Sequence, residues 1–146
     1  MEKNWIIIHL LKKDIKICSF FIFLPKVGDN MKKEDVNLEG FIQDTGYLFI
    51  HEAYFKKIDE HICEFIYINY FKNKIISDIT YGYKVNYSIR LHKIDGPAFI
   101  RFNEKGESIR TLYYINNKQL SEMQFYVKIG SSDKESLTPS YHNLNF

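Results

Sequence analysis

The side chains able to do chemistry are few, and their spacing limits what they could do. His61 and Cys63 stand two positions apart, a spacing that puts both on one face of a strand. A zinc site needs three or four such ligands, and His51, His92 and Cys18 are remote from the pair in sequence. The sequence therefore predicts no metal. Cys63 beside His51 or His61 would supply the parts of a thiol nucleophile. Yet Cys63 lies in the apolar run Ile62 to Ile68, where a lone cysteine packs as a small hydrophobe. Asp59 and Glu60 are adjacent, so a helix or strand points them apart and they read as a solvated face. No G-x-S-x-G, phosphate-binding loop, H-E-x-x-H or G-x-G-x-x-G occurs. The expectation is a protein without catalytic residues or cofactor.

One constellation is richer. Tyr67, Tyr70, Phe71, Lys72, Lys74, Tyr81, Tyr83, Lys84, Tyr87 and Arg90 interleave rings with cations. The stretch Asn69 to Lys93 carries Lys72, Lys74, Lys84, Arg90 and Lys93 against Asp78 alone, a local charge of +4. Such a mixture can hold single-stranded nucleic acid by stacking and phosphate contact. It also suits a protein partner, because tyrosine and arginine are enriched at interface hot spots. The plainer reading is that tyrosines favour strands and lysines blunt sheet edges. The candidate partner surface is Tyr67, Tyr70, Lys72, Lys74, Tyr81, Tyr83, Lys84, Tyr87 and Arg90. A protein partner is the leading expectation and nucleic acid the alternative.

What must position these residues follows from composition. The chain has 146 residues, 45% hydrophobic and 16% aromatic, with a net charge of +2. That is apolar enough to fold as one domain. The balanced charge excludes a histone-like coat for nucleic acid. Phe, Tyr, Met, Ile, Asn and Lys together make about half of the chain, the mark of A/T-rich coding. Alanine, the best helix former, occurs only as Ala53 and Ala98, whereas Ile, Tyr and Phe favour strands. The expected fold class is mainly β, an antiparallel β-meander of hairpins with at most one or two short helices. Two cysteines, Cys18 and Cys63, make no disulfide framework, which fits a reducing, cytoplasmic compartment of a bacterial or viral host cell.

Residues 1–24 are read as an N-terminal β-hairpin turning at Lys12 to Asp14. Charges there interrupt what would otherwise resemble a membrane span. A non-classical signal, or a true start at Met31, are the other readings. Residues 25–40 make a loop, 41–129 the main sheet, and 130–146 a loose tail. Within the sheet region, Gly46 to Ile50 is a short strand candidate and His51 to Glu60 the best helical window, because Ala53, Tyr54, Lys57, Ile58 and His61 can share a face. Strands are expected over Ile62–Tyr70, Ile75–Tyr83, Val85–His92, Ala98–Asn103, Glu107–Ile115 and Gln119–Ile129. In the last, Met123, Phe125, Val127 and Ile129 alternate with polar residues.

The segment Asp95-Gly96-Pro97-Ala98, a strand, Asn103-Glu104-Lys105-Gly106, a strand, then Tyr113-Tyr114-Ile115-Asn116-Asn117-Lys118 resembles the MORN-like repeat variant. Its units read D-G-P-A, strand, N-G turn, strand, Y-Y-x-N-G-K. The resemblance implies β-hairpins stacked edge to edge and covers about a fifth of the chain. Gly106 suits a left-handed turn position, and Asn117, standing where the family has glycine, is the next-best residue there. An echo without D-G-P-A occurs at Phe65 to Lys74. The repeat is a scaffold and does not decide function. Size and composition point to a binding module acting on a host enzyme. An inhibitor, an antitoxin or immunity protein, and a phage or viral counter-defence protein of the anti-CRISPR kind all fit.

Overall fold

The computed structural model describes residues 4–7, 21–24, 30–132 and 134–139. Strands β1 (Asn4–Ile7) and β2 (Phe21–Leu24) pair antiparallel as a separate two-stranded sheet. The turn expected at Lys12 to Asp14 lies outside the described residues. The main sheet holds β3 (Ile42–Asp44), β4 (Glu52–Lys57), β5 (Ile62–Tyr70), β6 (Ile76–Val85), β7 (Ser88–Leu91), β8 (Phe99–Phe102), β9 (Ser108–Ile115) and β10 (Lys118–Leu120). Its order is β10-β9-β8-β6-β5-β4-β3, all antiparallel, with β7 also on β6. The protein is mainly β, as its shortage of alanine and wealth of isoleucine and aromatics predict.

β5 and β6 form the spine, and both of their faces carry buried side chains. Ile66 pairs with Tyr81 and Ile68 with Ile79, and Ile79 pairs with Ile100 on β8. With Tyr54, Ile76 and Phe102 they make one core cluster, closed by Val36 and by Met31, Leu38 and Phe41. A second cluster packs Tyr113 and Ile115 of β9 against Phe125 and Tyr126 of α1 (Glu122–Ser131) and Leu137 of α2 (Lys134–Leu137). Strand alternation puts both clusters on the same side of the sheet. The 31–41 segment, with its 3₁₀ turn Lys33–Asp35, and the two helices therefore share one covered face. On the outer face, a smaller cluster joins Ala53, Phe65 and Tyr67 to Tyr47, Ile50, Phe55 and Leu91. Each fully buried Phe or Ile contributes roughly 1.5–3 kcal/mol, and β5 and β6 hold about half of the buried hydrophobic residues described.

Three readings of local structure are corrected. His51 to Glu60 is not helical: Glu52–Lys57 is a strand paired to β5. Ala53 and Tyr54 are both buried on opposite faces, which a strand allows and the supposed helical stripe does not. Gly46 to Ile50 is a loop, started by Asp44, whose Oδ1 accepts the Gly46 N–H at 2.9 Å. Gln119 to Ile129 is a short strand followed by α1. Ser121 and Gln124 close a reciprocal capping box, with bonds of 2.9 and 3.2 Å. This leaves Met123 71% exposed and buries Phe125 and Tyr126 side by side, a pattern that strand alternation would not give.

Candidate functional site

The nine residues singled out from sequence are spread over the sheet. Tyr81 and Tyr83 sit in β6 at 9% and 0% exposure, and Tyr67 in β5 at 8%. Tyr81 carries the Lys93 ammonium 4.0 Å from its ring centroid. Burial, helped by the charge of Asp95, pushes the Tyr81 phenol up to about 12. Tyr83 lies opposite Arg90 of β7, and its hydroxyl and the Arg90 Nε are buried without hydrogen-bond partners among the described residues. Tyr87 is fully exposed in the β6–β7 turn. Tyr70, Lys72 and Lys74 stand together at the opposite end of β6, in and before the β5–β6 turn. The nine residues thus do not make one surface, and three of the rings have no face free to stack on a base.

Lys84 is on the outer face, enclosed by rings. Its ammonium lies 4.5 Å from the Phe55 centroid, 4.9 Å from Tyr47 and 5.8 Å from Tyr67. It also donates to the Tyr47 hydroxyl at 2.5 Å. Burial disfavours the charge, but the Tyr47 and Tyr67 hydroxyls outweigh that and hold the pKa above the ordinary lysine value. Tyr47 stacks on Phe55 at 5.6 Å. This cation is the pin that fastens the 45–51 loop, between β3 and β4, to the sheet.

Beyond the pin the loop is bare. Leu48 and Phe49 are 93% and 94% exposed, and Ile42 on β3 is 77% exposed. β3 ends the sheet order, so one of its backbone edges is unpaired by the sheet. Residues 34–55 hold Glu34, Asp35, Glu39, Asp44 and Glu52 and no lysine or arginine. Among the described residues this hairpin edge is apolar and open, with Lys56 and Lys57 closing β4 just beyond that acidic stretch. Sequence reading missed it because Gly46 to Ile50 reads as a short strand. The available signal was a run of apolar residues after Gly46 with no alternation, bounded by acids.

A cleft of about 470 Å³ opens at the β5–β6 turn, lined by His51, Glu52, Tyr70, Phe71, Lys72 and Lys74. A neighbouring one of about 360 Å³ shares Tyr70 and Lys74 with it and also meets Lys32, Lys33 and Glu34. Glu52 is already occupied: it accepts from Tyr54 Oη at 2.6 Å and pairs with Lys33 Nζ at 3.0 Å. Burial raises the Glu52 pKa, but those donors overcome it and the net shift is downward. The Tyr54 hydroxyl and the Glu52 carboxylate hold the Lys33 ammonium well above its usual range.

On the open face, Arg101 and Arg110 are direct cross-strand partners, both exposed. Among the described residues no group of three or more His, Cys, Asp or Glu could hold a metal ion. Cys63 is half-buried and its thiol pKa is raised, chiefly by burial, which weakens it as a nucleophile. No helix among the described residues is long and apolar enough to cross a membrane. Comparison with protein-family models, with curated proteins and with solved structures found no match.

Proposed function

We propose that this protein is a non-enzymatic module that binds another protein through the outer edge of the β3–β4 hairpin. The observation that carries this reading is a strand edge left unpaired among the described residues, next to the exposed Ile42, Leu48 and Phe49. An extended strand of the partner can add to β3 by backbone hydrogen bonds, while the loop side chains supply apolar contact. The hairpin strands and loop carry Asp44 and Glu52 against Lys56 and Lys57, so backbone pairing and apolar contact rather than net charge would hold the partner strand. Burial of Tyr67, Tyr81 and Tyr83 weighs against the alternative, a single-stranded nucleic-acid platform, which needs exposed rings. The hairpins β8–β9 and β9–β10 support the MORN-like resemblance as a scaffold, with Gly106, Asn116 and Asn117 at positive φ in their turns. An inhibitor or counter-defence role in the cytoplasm of a host cell is the biological form this binding would take.

The test is affinity capture from cells of the source, with nuclease added. The double variant Leu48→Asp, Phe49→Asp should lose the captured protein and keep the wild-type fold. A complex that nuclease dissolves, and that the double variant retains, contradicts the proposal.

A further inference from the structure

We infer that the cleft at the β5–β6 turn binds a free mononucleotide, the phosphate meeting Lys72 and Lys74 and the base lying against Tyr70 and Phe71. This site is separate from the hairpin edge and does not depend on the protein-binding reading. Its volume of about 470 Å³ falls within the usual range for small-ligand sites, roughly 300–1,000 Å³. The acid in its wall, Glu52, is neutralised by Lys33 at 3.0 Å and by the Tyr54 hydroxyl. Lys72 and Lys74 have no ion-pair partner among the described residues, so the unspent charge of the cleft is positive. His51 adds a donor. Its Nδ1 accepts the Tyr70 N–H at 2.9 Å, which leaves the proton on Nε2. The His51 ring lies 6.2 Å from that of Tyr70, so two flat rings stand beside the cations.

The turn holding the lysines is fixed and strained. Phe71 N–H donates to Ile75 O at 2.8 Å and Lys74 N–H to Phe71 O at 3.0 Å. Asn73 Oδ1 accepts from Ile75 N–H at 3.2 Å, and its amide reaches Glu104 O at 3.2 Å. Within it Lys74 is held at φ 66°, a region that favours Gly or Asn and costs a lysine stability. An asparagine there would relieve the backbone but leave the cleft one cation short. The strain is thus accounted for by the charge it places between the two clefts.

The probe is adenosine monophosphate, titrated into the full chain by calorimetry at physiological salt, with adenosine and inorganic phosphate as separate arms. Submillimolar binding of the nucleotide is expected, with each fragment weaker by about tenfold or more. The variant Lys72→Gln, Lys74→Asn keeps the turn, since asparagine tolerates the left-handed position, and should weaken binding by roughly tenfold or more. The remote pair Lys57→Glu, Lys118→Glu should leave it unchanged. The inference is overturned by no binding at millimolar nucleotide, by phosphate binding as tightly as the nucleotide, or by equal loss in the remote pair. Much tighter binding of a single-stranded oligonucleotide through the same lysines overturns it too, in favour of a strand.

Discussion

At the scale of single residues, Gly82 is the tightest constraint. A Cβ there would lie 2.2 Å from the Arg90 carbonyl oxygen and 2.7 Å from the Phe65 ring. One of those contacts is backbone and the other is a ring at 1% exposure, so neither can yield without moving a strand. Gly82→Ala should therefore destabilise by about 2–4 kcal/mol, read as a lower urea midpoint. An unchanged midpoint would mean that β6 and β7 are not so closely apposed.

His92 gives the protein a pH dependence. Burial against the Tyr83 ring, at 5.5 Å, lowers its pKa to about 4, and its Nδ1 accepts the Asn116 N–H at 3.0 Å. The unfolded chain takes up the proton near the ordinary value of about 6.5, whereas the folded chain resists until about 4. The stability from neutral His92 is thus complete above about 6.5 and is lost as pH falls through that window. Urea midpoints should fall between pH 6.5 and 4, and His92→Gln should flatten the slope. The lowered Glu52 pKa adds a loss of the same sign at more acid pH, below the ordinary glutamate value of about 4.3.

At the scale of elements, the strands were the legible part. Ile62–Tyr70 was read with its observed limits because β-branched and aromatic residues fill it, and the turns at Lys72–Lys74 and Glu104–Gly106 announced themselves by Asn and Gly. The failures have definite causes. Ser121 and Gln124 form a capping box whose S-x-x-Q signature is in the sequence, but the strand reading rests on the alternation of Met123, Phe125, Val127 and Ile129 alone and overlooks it. Ser121→Ala should cost about 1 kcal/mol and lower the helical signal in circular dichroism; no change would show that packing of Phe125 alone holds α1. β4 was misread because Ala53 and Tyr54 share a helical face on paper, while the pairing with β5 that decides the matter is long-range. The open face offers a gain. Arg101 and Arg110 oppose one another directly, a like-charge arrangement that costs stability. Arg110→Glu should raise the thermal midpoint, by the equivalent of roughly 0.2–1 kcal/mol, and a drop would show that an unseen acidic group already answers both.

At the scale of the whole molecule, one face of the main sheet is closed by the 31–41 segment and the helices, and among the described residues the other stays largely open. Of the candidate surface read from sequence, Lys72, Lys74 and Tyr70 are gathered at one cleft, while Tyr67, Tyr81 and Tyr83 are spent on burial. Sequence could count those rings but could not say which way strand register would turn them. The hairpin edge escaped notice for the opposite reason: its apolar loop residues look like core until the fold leaves them outside. The measurement that bears most directly on the central claim is photo-crosslinking in cells of the source. A photoreactive phenylalanine analogue is placed at Phe49, and a control at Ile109, which is 59% exposed on β9. The account predicts a discrete adduct with one other protein from position 49, unaffected by nuclease and absent from position 109. Adducts from position 109 but not 49, or adducts to nucleic acid alone, would contradict it.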